Sequence, residues 1–187
     1  MINLEEIIKL QKQGEFKKAK KLYLKILKKD PSNFKVLALL GATLLQLKEY
    51  DYAINFLQNA VQINPNIPSI YNNLGVAFTK IKKYEESIKN LKKALSLNNK
   101  YYGAYNNLGT NFKMLRKYKD AFENYKKAIQ LNPHYHEAYN NMGILLSQIN
   151  NYSESIKCFD KAIELNKGYI DALQNKASIH TLNKNYN

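Results

Sequence analysis

Few side chains in this chain of 187 residues are spaced to do covalent chemistry. The histidines are His134, His136 and His180, and the single cysteine is Cys158. His134 and His136 lie two apart, which is not the i, i+4 spacing that sets two imidazoles on one helix face. His180 occupies a slot filled by Leu44, Phe78, Phe112 and Leu146 at earlier intervals of 34, so it reads as a packing residue. Cys158 sits in an amphipathic stretch with no histidine on a matching face, and reads as an inert thiol. One thiol supports neither a disulfide framework nor a cysteine metal cluster. Glu85 and Glu86 open a helical stretch, where the helix dipole favours carboxylates without any catalytic role. No glycine run forms a phosphate loop. The residues supply no catalytic, cofactor or metal site, and this chain is not expected to be an enzyme by itself.

What does recur is amide chemistry. Asn73, Asn107, Asn141 and Asn175 stand 34 residues apart, with Asn72, Asn106, Asn140 and Gln174 beside them. An asparagine amide offers one acceptor and a two-hydrogen donor group, the complement of a peptide unit, and can grip backbone without reading side chains. These eight residues are the expected peptide-binding set, with Val76 and Ile144 adding apolar contact. The stretch 34–67 has Ala38–Leu39 in the corresponding place.

The elements that must carry the amides follow from the same period. IYNNLGVAF, AYNNLGTNF and AYNNMGILL begin at 70, 104 and 138. Gly41, Gly75, Gly109 and Gly143 share the spacing, as do the aromatic line Phe16, Tyr50, Tyr84, Tyr118, Tyr152, Tyr186 and the small line Ala19, Ala53, Ser87, Ala121, Ser155. Within each unit apolar residues recur twice at helical intervals, separated by short polar stretches such as Lys48–Glu49, so each unit is an antiparallel helical hairpin. Gly and the small residue let the paired helices approach closely, and the aromatic is a wedge against the neighbouring hairpin. Pro31, Pro65 and Pro133 end the second helices, because the residue before proline is biased away from α. Units run 1–33, 34–67, 68–101, 102–135 and 136–169, with a half unit at 170–187. No hairpin buries its apolar face alone, so the units stack. The expectation is eleven helices and no strands.

This arrangement resembles the tetratricopeptide repeat family, whose 34-residue hairpin carries the same Leu–Gly, Tyr, Ala, Ala and Pro pattern. The resemblance covers essentially the whole chain; in the first unit Glu6–Ile7 replaces Leu–Gly, as in an N-terminal cap. It implies an all-α, right-handed α-α superhelix, a solenoid whose first helices line a concave groove that binds proteins or peptides. The asparagines resemble the ladder of the O-linked N-acetylglucosamine transferase group, which implies two functions: a protein-interaction scaffold, or the substrate-recruiting arm of a larger glycosyltransferase-like enzyme. Family members that capture acidic chaperone tails use a carboxylate clamp; the matching pairs here, Ala38 with Ala42, Asn72 with Val76, Asn106 with Thr110 and Asn140 with Ile144, supply no cation.

The net charge of +14 raises a third class, a basic nucleic-acid-associated repeat protein. Yet the lysines ride mainly on second helices, and Arg116 is the lone arginine, which serves bidentate phosphate or guanine recognition poorly. A solvated outer face is the better reading. No apolar run reaches the roughly 18 residues of a membrane span, and MINLEEIIKLQKQG does not read as a targeting peptide. The lone cysteine fits an intracellular, cytoplasmic setting. Ending on a first helix, the pattern reads as cut from a longer chain, and self-association through 170–187 is expected from Ile170, Leu173 and Ile179.

Overall fold

The computed structural model describes residues 3–184; Tyr186 and the side chain of His180 lie outside what is described. Among the described residues there are eleven helices and no strand, which places the chain in the α-α solenoid class. They group into two compact units, residues 1–99 and 100–187. The first contains α1 (Leu4–Lys12), α2 (Phe16–Leu27), α3 (Phe34–Gln46), α4 (Tyr50–Ile63), α5 (Pro68–Lys80) and α6 (Tyr84–Leu97). The second contains α7 (Tyr102–Met114), α8 (Tyr118–Leu131), α9 (His136–Gln148), α10 (Tyr152–Leu165) and α11 (Ile170–Lys184). Within each unit a second helix packs on its own first helix and, where the unit contains it, on the first helix of the next hairpin. First helices also touch one another directly, α3 against α5 in the first unit and α9 against both α7 and α11 in the second.

The glycine line is the seat of each hairpin. A Cβ added to Gly41 would lie 2.5 Å from Leu57 Cγ, and one on Gly75 equally close to Leu91. On Gly109 and Gly143 it would lie 2.6 and 2.7 Å from ring carbons of Tyr125 and Phe159. The glycine thus makes room for a bulky side chain of the second helix as well as for the helix itself. The small line then closes the approach: Ser87 and Ser155 each donate from Oγ to the carbonyl of the seat glycine, Gly75 and Gly143, at 2.7 Å. The first hairpin has Ile7 in place of glycine, and a polar chain joins it to its neighbour. The Tyr23 hydroxyl donates to Gln11 Oε1 at 2.7 Å, and Gln11 Nε2 donates to Thr43 Oγ1 at 2.6 Å.

Both turns of the repeat have a definite geometry. The first helix ends with a left-handed residue, Gly14, Lys48, Lys82, Arg116 or Asn150, all 34 apart. Around each, two backbone bonds close a Schellman motif, as in Lys82 N–H to Thr79 O and Lys83 N–H to Phe78 O. The second turn does not depend on proline. α6 and α10 stop at Leu97 and Leu165 as α4 and α8 stop at Ile63 and Leu131, although Asn99 and Lys167 stand in the places that Pro65 and Pro133 take in the other hairpins. The shared residue is an extended asparagine, Asn64, Asn98, Asn132 or Asn166, at the C-cap. Asn64, Asn132 and Asn166 accept from the backbone N–H two residues on, the Asx turn that releases the chain from helix.

The last helix corrects one expectation. Ile170 and Leu173 are 63% and 45% exposed, but Ile179 is 2% exposed, packed in a cluster with Phe159, Ala162 and Ala172. It points back toward α10 and is not available to an outside partner. Lys176, an odd residue for its slot, forms an ion pair with Asp160 of α10 at 2.6 Å.

Two substitutions test the turn and the seat. Left-handed backbone costs a side-chain-bearing residue about 1–2 kcal/mol, and glycine's greater chain freedom offsets about 0.5–1 of that. Lys82→Gly should therefore stabilise the fold by about 0.5–1 kcal/mol in urea unfolding. Gly109→Ala should destabilise it by about 1–3 kcal/mol, because the Tyr125 ring has to move off α7.

Candidate functional site

The amides lie along the first helices, and each unit is distinct. In the first unit a pocket of about 370 Å³ opens between α3 and α5, lined by Leu45, Gln46, Lys48, Tyr50, Asn73, Val76 and Lys80. Tyr50 reaches it as the first residue of α4, so the wedge position also forms a wall facing Asn73 and Val76 of the next hairpin. Asn73 and Val76 are half-buried, while Gln46, Lys48 and Lys80 stand exposed at the lip.

In the second unit the amides bond across successive first helices. Asn141 Nδ2 donates to Asn106 Oδ1 at 3.0 Å, and Asn175 Nδ2 donates to Asn140 Oδ1 at the same distance. The two asparagine columns therefore differ in kind. Asn72, Asn106 and Asn140 are 9%, 5% and 4% exposed, too enclosed to meet a peptide directly. Asn107, Asn141 and Asn175 are half-exposed, as is Asn73, and Gln174 is open to solvent. The enclosed column is tied back by tyrosines that precede the next first helix: Asn106 Nδ2 lies 3.5 Å from the Tyr135 hydroxyl, and Tyr169 bonds Asn140 likewise. Burial pushes Tyr135 up to about 12, so its hydroxyl keeps its proton throughout the neutral range. Ile144 lies half-buried one turn beyond Asn141.

The cations at these faces do not show as a set in the sequence, where Lys48 stands in a turn and Lys80 at a helix end. Lys113, at the end of α7, is half-buried, so that desolvation holds its ammonium below the usual lysine range. Most lysines of the second helices, including Lys18, Lys25, Lys89, Lys92, Lys126 and Lys127, are exposed, while Lys20 and Lys161 are half-buried.

Reactive groups have structural surroundings. His136 stacks edge-on against Tyr169 with centroids 4.7 Å apart, and its Nε2 lies 3.2 Å from Asn166 Nδ2. Tyr102 and Tyr135 form the same contact one repeat earlier, at 4.9 Å. His134 is exposed and bonds Asn132 only through its backbone N–H. Among the described residues no three of His, Cys, Asp and Glu are grouped to hold a metal ion, and no helix is long and apolar enough to cross a membrane.

Stacked antiparallel hairpins with a 34-residue period define an all-helical repeat protein. Tetratricopeptide repeat models match residues 22–55, 66–134 and 136–169, and a TPR repeat model matches 43–82. A crystal structure of MamA protein is similar at 30% identity and a TM-score of 0.70, covering 86% of this chain and 88% of that one. TTC0263, a thermophilic TPR protein in Thermus thermophilus, is similar at 21% identity and a TM-score of 0.84, covering 95% and 97%. YrrB, another TPR protein, is similar at 20% identity and a TM-score of 0.67, covering 91% and 88%. No curated protein sequence matches the chain. The chain belongs to the tetratricopeptide repeat family.

Burial pushes the Cys158 thiol up to about 11. Only the thiolate reacts with alkylating agents, so modification at neutral pH should run on the order of a hundredfold slower than for free cysteine. Timed iodoacetamide labelling followed by mass spectrometry measures this, and rapid labelling would show that the thiol is activated.

Proposed function

We propose that this chain is a protein-interaction scaffold that holds an extended polypeptide against the exposed faces of its first helices. The observation that carries this reading is the half-exposed asparagine column, two of whose amides are held from behind by enclosed asparagines at 3.0 Å. Such bonds fix the orientation of the outer amide, occupy one of its hydrogens, and leave its carbonyl oxygen and second hydrogen for a peptide unit. A relative of the same fold, YrrB, is described as having an unusual peptide-binding site, which supports the class of ligand.

The magnitudes say what else is needed. One net hydrogen bond contributes about 1 kcal/mol, so four amides give on the order of 4 kcal/mol, close to a millimolar constant. Apolar contact with Val76, Ile144 and the Tyr50 wall, or a tethered partner, has to supply the rest. Moderate affinity with tolerance of peptide sequence is the consequence.

Replacing Asn73, Asn107 and Asn141 together by alanine should weaken binding of an extended peptide at least tenfold by calorimetry. Because Asn141 also bonds Asn106, a modest fall in melting temperature is expected, equivalent to about 1–2 kcal/mol. Unchanged binding alongside a large fall in melting temperature would make the column purely structural.

A further inference from the structure

The pocket of the first unit has a chemistry that the amide column does not explain. Its walls are apolar, from Leu45, Tyr50 and Val76, while its lip carries Lys48 and Lys80 beside Gln46 and Asn73. Neither α3 nor α5 contains an aspartate or glutamate, and Asp51, which follows Tyr50 on α4, forms an ion pair with neither ammonium group. Glu49, next in sequence to Lys48, is turned away into an ion pair with Lys20 of α2. Among the described residues neither Lys48 nor Lys80 takes part in an ion pair.

Lys48 is also held at a φ of 60°, in the left-handed turn position where glycine is the least strained choice. The same left-handed turn recurs at Lys82 and Arg116, so it belongs to the hairpin and not to the pocket.

We propose that this pocket selects an acidic segment within the extended polypeptide of the preceding section, taking an apolar side chain between Leu45, Tyr50 and Val76 and a carboxylate between Lys48 and Lys80. The inference rests on that reading of the groove and adds the chemistry of the partner. Side chains two apart in an extended strand share one face, so the recognised pattern is an acid and an apolar residue separated by one position. The cations stand in the lip and not at the clamp positions of the first helices, so the carboxylate is a side chain and no free C-terminus is needed.

The probe is a blocked peptide, acetyl-Ser-Glu-Ser-Leu-Ser-Glu-Ser-Leu-Ser-amide, compared with the same peptide carrying Gln for Glu, by calorimetry on the whole chain. The acidic peptide should bind at least fivefold tighter at low salt, with the gap closing at about 0.5 M salt, where the Debye length shrinks to a few ångströms. Two exposed ion pairs together account for a preference of about fivefold, so the double variant Lys48→Gly and Lys80→Gln should remove most of it. Lys48→Gly alone should raise the melting temperature while weakening the acidic peptide, which separates lost recognition from lost folding. Lys89→Gln on α6 should leave both affinities unchanged. Equal binding of the two peptides to the unaltered chain would overturn the acidic preference and leave the groove reading intact. Binding of neither would overturn both. A preference that survives the double variant would assign it to the general positive charge and overturn the pocket.

Discussion

The seating of one bulky side chain on one glycine is the contact from which the rest of each hairpin follows. At Gly41, Gly75, Gly109 and Gly143 the absence of a Cβ admits Leu57, Leu91, Tyr125 and Phe159, and at Ser87 and Ser155 a hydroxyl locks the paired helix to the seat carbonyl. With the second helix drawn in, the first helix turns its next stripe toward the following hairpin. That stripe carries the enclosed asparagines of the second unit. The partner's identity at the seat is free, leucine or aromatic, because only the vacancy is constrained. Where Ile7 fills the vacancy, a Tyr23–Gln11–Thr43 chain of hydrogen bonds takes over part of the joining.

The surface proposed for recognition lies elsewhere on the same helices. The half-exposed asparagines and Val76 stay partly open to solvent, as does Ile144, which also packs on the cluster of Phe159, Ala172 and Ile179. Acids are absent from α3, α5 and α7, so the exposed side of those helices offers amides, apolar surface and cations only. The many lysines of the second helices keep the opposite side solvated.

Most of the architecture is legible in the sequence because a repeat writes the same packing constraint several times. Glycine at 34-residue intervals, followed by an aromatic and a small residue, is hard to satisfy except by a hairpin. Other features escape such a reading. Proline looks like the residue that ends the second helix, but it is one means among others. The Asx turns at Asn64, Asn132 and Asn166 do it by a side-chain acceptor, a bond that composition does not display. Neighbouring asparagines likewise look equivalent as text. Only helix geometry separates Asn140, turned inward, from Asn141, turned outward. The lip lysines are hidden for the same reason: Lys48 and Lys80 are 32 apart, off the repeat, and meet only because a turn and a helix end converge.

The choice of seat residue gives the hairpins unequal tolerance of alkali. Tyr23 and Tyr125 are buried and their hydroxyls donate to Gln11 and Thr110, and burial pushes both from the usual 10 to about 12. The folded state therefore holds those protons more tightly than the unfolded chain does. Their contribution is complete below pH 10 and drains away as pH climbs toward 12. Leu57, Leu91 and Phe159 have nothing to ionise, so those three seats carry no such liability. High pH thus divides an apparently uniform line of seats into two that alkali loosens, Tyr23 and Tyr125, and three that it leaves alone.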